Sequence, residues 1–223
     1  YLADGNTLFL HYNSSKTEVE KVAEAVRKKG GEAHLIQANL MSEEGCISLV
    51  DQVKKQTDTL DVLINNAGGL IRRQALKDLE WGLMSDIFTL NTFSTMKITS
   101  LCLPLLEKSN QAPVVINVSS IAVRHGSPTS TPYGAAKAAV DAFTRGAAKE
   151  LAPHIRVNAV APGVIDTPFH EKVSTPDRMK QWKEDTPLKM IGEPTHIAQA
   201  IEFLMGNRFV TGETIDVNGG LMM

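Results

Sequence analysis

The 223-residue sequence predicts an α/β fold: a doubly wound parallel sheet with helices on both faces. Three observations carry this. Short apolar runs alternate with segments of helical periodicity from residue 7 to residue 217. The runs at 60–65, 113–118 and 155–160 are nearly continuous in apolar residues, as in strands covered on both faces. The segments between runs are long enough for crossover helices, which in such sheets are right-handed. The length suits one domain with a sizeable core, and residues 1–223 read as one, with no repeat, linker or low-complexity tract.

Residues 7–12, Thr-Leu-Phe-Leu-His-Tyr, form the first strand. Ser15 with Glu18 reads as a capping box. Val19, Val22, Ala23 and Val26 follow at helical spacing, and Gly30-Gly31 stops the helix. Residues 33–38 are the next strand. Ser42 opens a helix with Ile47, Val50 and Val53 on one face. Residues 60–65 are a strand. A long helix over 80–108 carries Met84, Ile87, Phe88 and Asn91 on one stripe, and Pro104 bends or shortens it. A strand at 113–118, an alanine-rich helix at 131–151, a strand at 155–160, a helix at 195–205 and a strand at 213–217 complete the pattern.

Composition excludes several classes. Net charge is −2, and the clusters Arg27-Lys28-Lys29 and Arg72-Arg73 are short, so neither nucleic acid nor an anionic membrane is an expected partner. No apolar run has the length of a membrane span. Cys46 and Cys102 have no metal or redox spacing and read as buried free thiols, which fits a reducing cytoplasm. The six histidines form no ligand pair, so no metal is expected.

The chemistry is concentrated in Ser120, Tyr133 and Lys137. Tyr133 and Lys137 stand at i and i+4, on one face of the predicted helix. A phenol normally keeps its proton to about pH 10, and a neighbouring ammonium favours the phenolate. Such a tyrosine can exchange a proton with a substrate oxygen. Ser120, at the end of an apolar strand, can hydrogen-bond the same oxygen. Tyr-x-x-x-Lys alone is a common chance pattern, so its context decides. Asn65-Asn66-Ala67-Gly68 ends one strand, Asn91 lies in Phe-Thr-Leu-Asn, and Pro162-Gly163-Val-Ile165-Asp-Thr167 ends another.

Together, and in this order, these motifs resemble the short-chain dehydrogenase/reductase family, and within it the 3-oxoacyl carrier-protein reductases. The resemblance runs from about residue 3 to Gly220. It implies a Rossmann-type fold and an NAD(P)(H)-dependent oxidoreductase interconverting a ketone and a secondary alcohol, with sugar or polyol dehydrogenases as rival relatives. Asn91, Ser120, Tyr133 and Lys137 would form a catalytic tetrad. Tyr133 would give or take the proton and Ser120 would orient the substrate oxygen, with Ser119 as the alternative serine. Lys137 would lower the Tyr133 pKa and hold the nicotinamide ribose, and Asn91 would hold a water linking Lys137 to solvent. The rival class is a catalytically silent dinucleotide-binding sensor or scaffold. An intact Ser, Tyr and Lys set argues against it.

Cofactor contacts follow from the same resemblance. Asn66, Ala67 and Gly68 would run along the adenosine side, and Pro162, Gly163, Ile165 and Thr167 would meet the carboxamide. The same residues also suit plain strand-ending turns. Asn39-Leu40 stands where the family carries an acidic residue before an apolar one, a departure that puts the adenine contact in doubt. At the ribose end, Asn13, Ser14 and Ser15 offer amide and hydroxyls with no carboxylate to repel a 2′-phosphate, so NADP is favoured over NAD. The substrate segment would be 170–194, with Met179, Trp182 and Met190. Gly69 to Arg72 and Val123 to His125 are further candidates for the pocket wall. The family's pairing of the helices at 80–108 and 131–151 implies a homotetramer.

A dinucleotide fold needs a central first strand and a glycine-rich turn at a helix N-terminus. Neither precedes Thr7, and residues 1–5 look like the end of the helix that should follow that turn. We therefore expect a longer chain, a first strand missing from between those at 7–12 and 60–65, and a cofactor-free form with a mobile 170–194 segment.

Overall fold

The computed structural model describes residues 3–222, excluding the side chains of 170–172. Tyr1 and Leu2, within the expected helix end at 1–5, lie outside the described residues. Six strands alternate with helices. β1 (Thr7–Tyr12) pairs in parallel with β2 (Glu32–Gln37), Thr7 opposite Glu32. β3 (Val62–Asn65), β4 (Val114–Val118), β5 (Arg156–Pro162) and β6 (Thr214–Val217) form a second parallel sheet in the order 3-4-5-6. Among the described residues no ladder joins β1 to β3.

The helices are α1 (Lys16–Lys28), α2 (Glu43–Lys54), α3 (Trp81–Phe88), α4 (Ser94–Leu106), α5 (Ala122–His125), α6 (Thr131–Leu151), α7 (Pro168–Val173), α8 (Pro176–Asp185) and α9 (Pro194–Gly206). Alternation along the strands divides the core. Val115 and Val157 join Ile36, Val50 and Leu106 on one face, with Phe9 and Leu63 packed against them, so this cluster spans both sheets. Val114, Ile116 and Val160 point the other way, onto Leu204 of α9. Each such fully buried aliphatic side chain contributes about 1.5–3 kcal/mol.

Several local expectations are corrected. Ser15 precedes α1, but its side chain makes no capping bond, so the Ser15–Glu18 capping box does not form. Its backbone (φ −85°, ψ 55°) is not the extended conformation from which a cap side chain reaches forward. Ser42, extended at φ −142°, does cap α2 by accepting from Gly45 N at 3.1 Å. Ile47 faces solvent; Cys46, Leu49, Val50 and Val53 make the buried face of α2. The expected helix at 80–108 is interrupted by a π-helical segment at Thr89–Phe93, and Pro104 sits inside α4 two residues before its end. The segment at 170–194 contains α8 and most of α7, two short helices that periodicity did not reveal. Cys46 and Cys102 are buried free thiols, and burial raises both, Cys102 to about 11. Among the described residues no helix is long and apolar enough to cross a membrane.

Candidate active site

The site lies at the C-terminal ends of β3, β4 and β5, the place at which open parallel sheets bind ligands. A buried polar ladder fixes those strand ends. Asn65 Nδ2 donates to Asn117 Oδ1 (2.9 Å) and to Thr99 Oγ1 (3.0 Å). Asn117 Nδ2 donates to Thr144 Oγ1 of α6 (2.9 Å). Strand β4 is thereby tied to α6, the helix that carries Tyr133 and Lys137. The sequence reading missed Asn117, Thr99 and Thr144. For Asn117 a lone polar residue inside an apolar strand was the only signal.

Ser119 and Ser120 follow β4 and point to different places. Ser119 is buried, with its hydroxyl 3.4 Å from the Lys137 carbonyl oxygen. Ser120 faces a cavity, its Oγ accepts from Ala122 N (3.1 Å), and its hydroxyl is near enough to the Tyr133 phenol to favour the phenolate. This favours Ser120 over Ser119. Lys137 is buried and donates from Nζ to the Val118 carbonyl at 2.8 Å. Its Nζ lies 5.9 Å from the centre of the Tyr133 ring. The Phe169 ring packs against Tyr133 at 6.2 Å.

Electrostatics correct one expectation. Burial pushes the Tyr133 phenol above its ordinary value, and the nearby Ser120 hydroxyl opposes this only in part. Lys137 does not bring the phenol down, because the same dry environment acts on both groups. Burial pulls Lys137 to about 8, with Asp141 one turn along α6 working against the shift. Tyr133 therefore holds its proton as a neutral phenol.

Asn91 sits in the π segment, fully buried. That segment is docked on α6 by Thr92 Oγ1, which donates to the Ala136 carbonyl (3.0 Å). The Asn91 carboxamide is committed to protein. Nδ2 donates to the carbonyls of Gly69 and Ile87 (both 2.8 Å), and Oδ1 accepts from Gly69 N (3.0 Å). Its side chain thus holds the turn after β3 in place rather than offering a free water site. Gly68 in that turn is sterically required. A Cβ there would stand 2.7 Å from Asn91 Oδ1 and 3.0 Å from Lys137 Nζ.

The cavity has a volume of ≈ 590 Å³. It brings together Asn66, Gly68, Ser120, Tyr133 and Lys137 with Pro162, Gly163, Ile165 and Thr167. Gly163 is held against Asn218, whose Cα would be 2.6 Å from a Cβ. Thr167 Oγ1 donates to the Ile165 carbonyl (3.3 Å). Asn13, Ser14, Ser15 and Asn39 do not line this cavity. They follow β1 and β2, where Gln37 Nε2 donates to the Asn13 carbonyl and Asn39 Oδ1 accepts from Met41 N. Leu40 is buried in the core and Ala67 packs against it, so neither presents its side chain to the cavity.

These residues fit a nicotinamide dinucleotide. Gly68 leaves bare backbone beside Lys137 Nζ, and that ammonium has one protein acceptor for its three donors. Fold and site together are those of a nicotinamide-dependent oxidoreductase. The sequence matches, over residues 1–222, the family model described as enoyl-(acyl carrier protein) reductase. The chain belongs to the short-chain dehydrogenase/reductase family. A 3-oxoacyl-(acyl-carrier-protein) reductase of Staphylococcus epidermidis is 36% identical over 227 residues, covering 99% of this chain and 90% of that protein. A 7α-hydroxysteroid dehydrogenase complexed with NADH and 7-oxo glycochenodeoxycholic acid has a TM-score of 0.90 at 28% identity, covering 99% of this chain and 86% of that one. A Brucella melitensis short-chain dehydrogenase/reductase, termed glucose/ribitol dehydrogenase, has a TM-score of 0.88 at 29% identity, covering 98% and 87%. The protein is accordingly an NAD(P)-dependent oxidoreductase interconverting ketones and secondary alcohols.

Proposed function

We propose that Tyr133 is the proton donor and acceptor at the substrate oxygen, with Ser120 orienting that oxygen. The observation that carries this is the placement of Ser120 and Tyr133 together on the wall of one cavity, with Lys137 beneath the ring. When bound, the nicotinamide supplies or accepts the hydride. In ketone reduction a neutral phenol is the required form, and burial keeps Tyr133 in it. The developing alkoxide is a far stronger base than phenolate and takes the proton. Ser120, on the same cavity wall as the phenol, hydrogen-bonds that oxygen and fixes its position. Lys137, Asn66 and Gly68 would hold the cofactor on one side, and Pro162, Gly163, Ile165 and Thr167 on the other. Asn91 acts through the Gly69 backbone as a positioning residue.

The cofactor we favour is NADP, because residues 13–16 follow β1 without a carboxylate to repel a 2′-phosphate. Comparison of kcat/KM for the two cofactors tests this, and a clear preference for NAD overturns it. A 3-oxoacyl thioester is one candidate substrate, by likeness to the Staphylococcus relative. Sugars and polyols are the other. We also read the protein as cytoplasmic, consistent with two free buried thiols, and as a homotetramer. The test of the central reading is nicotinamide absorbance with ketones and alcohols, wild type against Tyr133→Phe. Turnover should fall about 100- to 10,000-fold with cofactor affinity retained, since a proton transfer is lost and little packing changes. Near-normal turnover in the variant would sink the assignment.

A further inference from the structure

The cavity that holds Tyr133 is lined by charge of one sign. Arg73, Lys137 and Arg178 border it, and no described lining residue is acidic. Lys137 is already committed to Val118 and to the Tyr133 face. Each of the two arginines keeps guanidinium donors that have no acceptor among the described residues. Arg73 donates from Nε to the Val173 carbonyl (2.9 Å), and its Nη1 lies 3.3 Å from Ser130 Oγ. Among the described residues its Nη2 has no acceptor. Arg178 comes from α8. Its guanidinium rests over the Trp182 ring, 5.0 Å from the centre, and has no acceptor among the described residues. Neither arginine has a carboxylate within salt-bridge distance among the described residues.

Two guanidiniums close enough to repel each other, with no carboxylate between them among the described residues, gain from a ligand anion that completes the arrangement. Guanidinium forks match carboxylate and phosphate geometry. Both residues are anchored in a way that favours recognition over mobility: Arg73 by two chain segments and Arg178 by its stacking on Trp182. Arg73 bonds the 128–130 turn just before α6 and the end of α7, not the strand-end turns assigned to the cofactor.

We propose that Arg73 and Arg178 form an anion subsite, and that the substrate is a carbonyl compound bearing a carboxylate or phosphate at its far end from Tyr133. This rests on the oxidoreductase reading above and specifies its substrate class. Neutral ketones would react without using the subsite. An anionic substrate would be oriented by it, carbonyl toward Ser120 and Tyr133.

The test uses a panel of oxo acids with the ketone at successive positions, each paired with its methyl ester. For at least one pair the wild type should show kcat/KM at least about 10-fold higher for the acid, the scale of one charge-assisted pair. Arg178→Met should remove most of that preference by lowering the acid's kcat/KM, while the ester changes less than about 3-fold. Arg178→Lys should restore part of it, since charge returns without the fork. NADP(H) affinity, measured by nicotinamide fluorescence, should be the same in all three proteins. The proposal is overturned if the esters react as well as the acids throughout. It is also overturned if Arg178→Met lowers both equally, or if it weakens cofactor binding instead, which would assign the arginines to the cofactor's phosphates. If no acid or ester is turned over by the wild type, the oxidoreductase reading fails. Titration of the acids into cofactor-loaded protein then decides the subsite alone: binding weakened by Arg178→Met supports it, and absence of binding refutes it.

Discussion

Lys137 illustrates how one residue couples function to stability. It carries a charge into a buried position, where burial lowers its pKa from the ordinary 10.5 to about 8. Below about 8 both folded and unfolded chains hold the proton, and the cost of burying the charge is fully present. Between about 8 and the unfolded value the unfolded chain binds more protons, so stability rises with pH across that window. Raising pH from about 7.5 to about 9.5 should therefore shift the stability difference between wild type and Lys137→Met by about 1–2 kcal/mol in favour of wild type. Urea denaturation at the two pH values measures it, and a constant difference would mean that the folded lysine keeps its proton across this range, with its pKa not lowered by burial. The same variant should lose turnover at least as severely as Tyr133→Phe and should weaken cofactor binding. Unchanged cofactor affinity would remove the ribose role.

At the scale of elements, two helix starts that look alike in sequence differ in structure. Both α1 and α2 begin after a serine, but only Ser42 makes a side-chain cap. The tight turn into α2 explains the difference. Gly45 packs so closely on the Asn39 carbonyl that a Cβ would lie 1.7 Å from its oxygen, which brings Gly45 N within reach of Ser42 Oγ. Ser42→Ala should cost about 1 kcal/mol, whereas Ser15→Ala should cost no more than a few tenths. Chemical denaturation of the two variants distinguishes them, and equal losses would contradict the structure. The π segment makes a similar point. Helical periodicity correctly placed Ile87 and Asn91 on one buried stripe. It could not show that a register shift at Thr89–Phe93 would bring Asn91 onto the Gly69 backbone.

The whole molecule leaves large apolar side chains in solvent. Trp81 is 82% exposed at the start of α3, Phe93 57% in the π segment, and Phe209 100% beyond α9. Large aromatic side chains left open to solvent suit burial in subunit interfaces. We predict a homotetramer in solution, with Phe93→Glu shifting the population to smaller species. Sedimentation of only monomer at micromolar concentration would contradict this.

The sequence by itself determined the alternation of strands and helices, the parallel sheet, the position of α6 to the residue, and the Ser120, Tyr133 and Lys137 set. Those follow from local periodicity and from residue types whose chemistry is rare in combination. What only tertiary structure decided depends on neighbours distant in the chain. Burial of Tyr133 and Lys137 together reversed the expected direction of the phenol shift. The Asn65–Asn117–Thr144 ladder spans 79 residues of sequence, from 65 to 144, and no local pattern encodes it. Arg73 and Arg178, more than 100 positions apart, read as ordinary surface cations until folding set them on one cavity. Electrostatic and hydrogen-bond energies depend on distance and dielectric surroundings, and a linear sequence specifies neither.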